Sequence, residues 1–64
     1  GEVTVTLPSG TTLLAVEVLD MLGHVVLRSS GEDRTLHLQH LASGVYSLRL
    51  FTTAGESMVR VVRE

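Results

Sequence analysis

The sequence predicts an all-β chain, a small antiparallel β-sandwich of about six to seven short strands with Greek-key connections. Three observations carry that expectation. Apolar residues alternate with polar ones at a period of two instead of recurring every three to four positions. Turn-forming residues interrupt the alternation about every ten positions. No helix-length segment lies between the turns.

The elements follow in order. Val3, Val5 and Leu7 alternate with Glu2, Thr4 and Thr6 as a half-buried strand, which Pro8, Ser9 and Gly10 end. Leu14, Val16 and Val18 alternate with Ala15 and Glu17, and are expected to point inward on a second strand. Asp20-Met21-Leu22-Gly23 reads as a tight hairpin turn, because an Asp at the first turn position accepts bonds from the following backbone and Gly supplies a positive φ. His24 to Ser29 forms a third strand in which Val25, Val26 and Leu27 break the alternation, as a bulge or a strand covered on both faces would require. A polar turn over Ser30 to Asp33 precedes a fourth strand, where Leu36 and Leu38 alternate with His37 and Gln39. Tyr46, Leu48 and Leu50 alternate with Ser47, Arg49 and Phe51, and a last strand spans about Ser57 to Arg63. Leu41-x-x-Gly44-x-Tyr46 has the spacing of a tyrosine corner, in which the ring hydroxyl bonds back to upstream backbone at a crossover. An echo at an offset of 32 residues sets Val16, Val18 and Gly23 against Leu48, Leu50 and Gly55, and is read as similar hairpins made by similar chemistry.

Composition bounds the function. Sixty-four residues without cysteine and with a single proline make one domain with no room for a second, so an enzyme with its own cleft is a distant reading and is not expected. A core this small supplies only about 3–5 kcal/mol, so marginal stability is expected, or support from a neighbour such as a parent protein or a second copy. Five arginines, no lysine and seven carboxylates give a charge of −2, the wrong sign for attracting nucleic acid or an anionic membrane. No run of 18 apolar residues spans a bilayer. The absence of cysteine leaves the redox compartment open.

Chemistry-bearing patterns are weak. His24, His37 and His40 invite a metal, but strand parity sets His37 and His40 on opposite faces and no organised carboxylate completes a four-ligand shell, so no metal and no cofactor are expected. Asp20, His24 and Ser29 or Ser30 lack the strand-turn-helix elbow and oxyanion donors of a nucleophilic triad. No glycine-rich phosphate loop occurs. Met21 and Leu22 are apolar at the middle of a turn, and are expected to fold back and cap the open end of the sandwich, with a docking contact to a parent domain or receptor as the alternative.

Val16-x-Val18-x-Asp20-x-Leu22-Gly23-x-x-Val26, Leu41-x-x-Gly44-Val45-Tyr46, Gly55 and the closing Arg60-Val61-Val62-Arg63-Glu64 together resemble the C-terminal sorting domain of the type IX secretion system. The resemblance covers nearly the whole chain. It implies an immunoglobulin-like fold and a non-catalytic tag on the C-terminal fragment of a larger secreted protein, exported through the periplasm to the outer membrane, cell surface or extracellular space. Implied partners are the secretion translocon, a sortase-like peptidase that cuts upstream, the parent cargo domain, and an anionic lipopolysaccharide to which the cargo is joined. It also implies that the last strand, Val59, Arg60, Val61, Val62, Arg63 and Glu64, is the signal that is read. The family's opening Asn-Pro segment lies before Gly1, so an edge strand is expected to be missing and self-association through an edge is expected in its place. The family favours Lys where Arg60 stands; Arg keeps the charge and adds a planar, five-donor head. Arg60 and Arg63, three apart, are expected on opposite strand faces, where they could equally be solvated arginines guarding a sheet edge. The rival readings are an immunoglobulin-like spacer or adhesion module, and a retained secretion-machinery domain whose Arg28, Arg49, Arg60 and Arg63 contact lipopolysaccharide phosphates.

Overall fold

A computed structural model describes residues 2–64 as six strands: β1 Glu2–Thr4, β2 Leu13–Leu19, β3 Val25–Ser30, β4 Thr35–His37, β5 Gly44–Thr52 and β6 Gly55–Arg63. All pairings are antiparallel. One sheet has two strands, β1 beside β4, and the other has four, in the order β3-β2-β5-β6. The chain therefore crosses between sheets three times, and β5 returns to lie beside β2 instead of its sequence neighbour. The result is a small β-sandwich measuring 34 × 20 × 16 Å.

Alternation decides which residues fill the space between the sheets. Val16 and Val18 of β2 and Tyr46, Leu48 and Leu50 of β5 meet Val5, Leu36 and Leu38 from the opposite layer in one aliphatic core, with Val3, Leu7, Leu27, Leu41 and Val61 packed around it. Only Glu2–Thr4 of the first alternating segment pairs as a strand. Val5 is nonetheless buried, its N–H donating to the Arg34 carbonyl at 2.8 Å.

The phase of β2 corrects one expectation. Leu14 is 55% exposed, whereas Leu13 is 3% exposed and belongs to the core. The pairing with β5 shifts register between Leu13 and Ala15. A bulge there inserts one residue and reverses the parity of everything before it, which alternation alone does not reveal. A second shift, between Val18 and Leu19 against β3, accounts for the apolar run in that strand. Val18 pairs with Leu27 and Leu19 with Val25, leaving Val26 as the extra residue; Leu27 turns to the core while Val25 and Val26 stay exposed. Of the two explanations open from sequence, the bulge is the one realised.

At the β4-to-β5 crossover the Tyr46 hydroxyl donates to the Ala42 carbonyl at 2.6 Å, and the Leu41 N–H donates to the Leu38 carbonyl at 2.9 Å. The ring is buried in the core while its polar tip ties down the connecting loop. Tyr46→Phe is expected to cost about 1–1.5 kcal/mol, the net worth of one such bond, measured as a lower denaturation midpoint with an unchanged m-value.

Candidate functional site

The last strand is where sequence and topology converge. β6 pairs along its whole length with β5, from Thr52↔Gly55 to Gly44↔Arg63, and among the described residues with no other strand. Its opposite side is an open edge. The Thr53 N–H reaches the Thr12 carbonyl on the β2 side at 3.0 Å. Alternation along β5 then turns Thr52, Leu50, Leu48 and Tyr46 toward β6, where they meet Gly55, Ser57, Val59 and Val61. The backbone N–H and C=O groups of Glu56, Met58, Arg60 and Val62 consequently face outward along the free edge.

Side chains divide by the same parity. Val59 and Val61 lie opposite Leu48 and Tyr46 on the core-facing side. Met58, Arg60 and Val62 lie opposite Arg49, Ser47 and Val45 on the outer side. Arg60 and Arg63 are therefore on opposite faces, and their environments differ sharply. The Arg63 guanidinium spreads over three carbonyl oxygens, donating from Nε to Leu38 at 2.8 Å, from Nη2 to Gln39 at 2.8 Å and from Nη1 to Glu64 at 2.9 Å. It joins the end of β6 to the loop after β4, so three of its five donors are used within the chain. Arg60 is exposed and, among the described residues, has no ion pair or side-chain hydrogen bond. Val59 is 45% exposed even though it faces the core side, because the two-stranded sheet does not extend over β6.

The outer face of the four-stranded sheet carries a charge arrangement that sequence reasoning missed. Glu17, with its side chain only 12% exposed, accepts from Arg28 at 2.7 Å and from Arg49 at 3.4 Å. One strand order brings the three together, since Glu17 pairs laterally with both Arg28 and Arg49. That order is not readable from an isolated sequence. Beside this trio a shallow concavity is lined by Leu19, Met21, Ser47, Arg49, Met58 and Arg60.

The β2–β3 turn is built as the Asp20 and Gly23 pattern predicts. Asp20 Oδ1 accepts from the Leu22 and His24 N–H groups at 2.9 Å each, and the Gly23 N–H returns to the Asp20 carbonyl at 3.1 Å. Gly23 has φ +87°, where a side chain would be strained. Met21 and Leu22 do not cap the sandwich: they are 78% and 80% exposed. The Asp20 bonds hold the two central residues out at the tip, beyond reach of the core. Hydrogen bonds to the carboxylate, first that of His24 N–H and then that of Leu22, keep the Asp20 pKa below its ordinary 3.8. A depressed folded-state pKa adds stability above the unfolded value and loses it as pH falls through the folded one. Asp20→Ala should therefore melt below the parent at pH 7, with the gap closing as the pH drops below about 3.8, as thermal melts across that range would report.

The histidines are placed differently from expectation. His40 lies in the turn after β4, off the strand, so strand parity does not apply to it. It borders the same shallow concavity as His37 and Asp33. His37 approaches Glu2 at 3.4 Å and His24 approaches Asp20 at 3.5 Å, each a surface pair. Among the described residues no three His, Asp or Glu side chains assemble as a metal-ligand group.

Fold and edge together define a class, a small β-sandwich whose functional candidate is a strand at its border instead of a pocket. The chain belongs to the secretion system C-terminal sorting domain family, whose model matches residues 1–64. It is thus a sorting domain of type IX secretion, a family that is non-catalytic in general and implies contact with secretion machinery and export across the outer membrane. No curated protein and no solved structure matches the chain significantly.

Proposed function

We propose that this domain is the C-terminal end of a larger exported protein and that its closing segment, Val59 to Glu64 at the end of β6, is what the secretion machinery grips while the cargo is moved to the cell surface. Membership of the sorting-domain family supports the process. The observation that carries the choice of element is the open edge of β6, whose outward N–H and C=O groups remain free along a strand held on one side only by β5. Arg63 keeps that strand in place and Arg60 presents its charge to solvent. A sortase-like peptidase then acts upstream of the domain, and the cargo is retained at the surface by attachment to lipopolysaccharide.

The reading in which Arg28, Arg49, Arg60 and Arg63 bind lipopolysaccharide phosphates has less support. Two of them already share Glu17 and a third is engaged by carbonyl groups, leaving Arg60 alone.

The test fuses residues 1–64 to a secreted reporter in a host with the system, beside a version lacking residues 60–64 and one carrying Arg60→Glu. Removal of residues 60–64 takes away the Arg63 bonds as well, whereas Arg60→Glu alters an exposed charge alone. Reduced surface delivery is expected from both. Undiminished delivery by the truncated version overturns the reading.

A further inference from the structure

The free edge of β6 is chemically asymmetric. Its core-facing side offers Val59 and Val61, with Val59 short of cover, and its outer side offers an unpaired Arg60 between Met58 and Val62. Whatever pairs there must answer both sides at neighbouring positions, because Val59 and Arg60 are adjacent. We infer that the edge accepts an extended antiparallel segment reading apolar–acidic–apolar, with the acid opposite Arg60 and the apolar residues opposite Val59 and Val61. The inference rests on the sorting reading only for which protein supplies that segment.

The sheet already contains the arrangement once. In β2, Val16-Glu17-Val18 sends both valines fully into the core while Glu17 bridges Arg28 and Arg49 on the outer face. Arg60 repeats the arginine side of that ladder without the carboxylate. Cross-strand pairs of opposite charge and of apolar residues each add roughly 0.2–1 kcal/mol, and main-chain bonds along the edge supply the bulk of the attraction.

A second copy of the chain does not meet the requirement. Two β6 strands paired about a two-fold axis can set Glu56 against Arg60, but Val59 then faces Ser57. Setting Val59 against Val59 puts Arg60 opposite Met58, and Val59 against Val61 puts Arg60 opposite Arg60. Arg60 against Val62 leaves Val59 facing Arg63, and Arg60 against Glu64 leaves Val59 without an opposite residue in β6. No two-fold register of β6 satisfies both residues, and the strand segment of the chain that does read apolar–acidic–apolar, Val16-Glu17-Val18, is already paired on both sides by β3 and β5, so the segment comes from a different sequence.

The experiment titrates the ¹⁵N-labelled 64-residue chain with the capped peptide Ser-Thr-Val-Glu-Val-Thr-Ser and with its Gln analogue, following amide shifts and hydrogen exchange. Met58, Arg60 and Val62 amides should shift and gain protection, and the Gln peptide should bind about two- to five-fold more weakly. Arg60→Gln should erase the difference between the two peptides. Met58→Pro removes an N–H that no strand of the chain uses and should abolish binding, with the remaining amide spectrum reporting that the fold persists. The inference is overturned by equal binding of the two peptides, by shifts confined to β3, by no binding at millimolar peptide, or by the unliganded chain dimerising through β6. Delivery that depends on residues 60–64 while the peptides stay inert removes this inference alone. Peptide binding with undiminished delivery after that truncation removes the sorting reading alone.

Discussion

Gly31→Ala is expected to destabilise the domain by about 2–3 kcal/mol, the cost of forcing added volume into a packed site. The glycine sits where the chain leaves β3, and its N–H donates to the Leu14 carbonyl at 3.0 Å. A Cβ built on it would overlap the Leu13 carbonyl oxygen and crowd the Leu14 carbonyl carbon, which are backbone atoms that cannot swing aside. Relief requires moving β3 away from the start of β2, at the bulge that places Leu13 in the core. Against a total of roughly 3–5 kcal/mol for a core of this size, the loss removes most of the stability. Thermal unfolding should fall by on the order of 10–20 °C, and a melting temperature within about 2 °C of the parent would show that the two strands separate at little cost.

Arg63→Leu is expected to cost about 2 kcal/mol, because the Leu38 and Gln39 carbonyls lose charged donors in a half-buried setting. Leucine keeps much of the apolar stem and none of the hydrogen bonds, so the effect reports the guanidinium. Arg63→Lys should restore only part of it, since one compact ammonium does not reproduce a planar fork spread over three oxygens. The loss should be local as well as global. Amides of Val59, Val61 and Arg63, which bond toward β5, should exchange faster in Arg63→Leu than in Arg60→Gln, where no internal bond is removed. Equal exchange in the two variants would mean that β6 is held by β5 alone.

Much of the fold is legible in the sequence because it rests on local chemistry. Alternation identifies Val16, Val18, Leu36, Leu38, Tyr46, Leu48 and Leu50 as core, and all are buried. Asp20 and Gly23 specify a turn through bonds spanning at most four residues, and the Leu41-to-Tyr46 spacing specifies a corner closed over the same distance. Long-range geometry is where legibility stops. Leu13 and Leu14 are the same residue type, and only the partner strand decides which of them is the bulged one. Glu17 joins Arg28 and Arg49 through a strand order that crosses the chain, so nothing near it in sequence marks it. Gly31 is indistinguishable in sequence from the rest of the polar turn over Ser30 to Asp33, since its closeness to Leu13 and Leu14 is a tertiary fact.

The candidate site divides along the same line. Arg60 and Arg63 on opposite faces follow from parity, but the occupation of Arg63 by three carbonyls and the solitude of Arg60 depend on where the β4 loop ends up. The apolar tip at Met21 and Leu22 shows the converse failure. Hydrophobicity suggested burial, and a turn geometry fixed by Asp20 overrode it.

The two register shifts along the seams of β2 bear on how the chain avoids misthreading. One irregularity lies near Leu14 against β5 and the other near Leu19 against β3, at opposite ends of a strand only seven residues long. Sliding that strand by a single position would swing Val16 and Val18 out to water and spoil both neighbours at once. No partial slip mends one seam without tearing the other, so this central strand has a single seating to find.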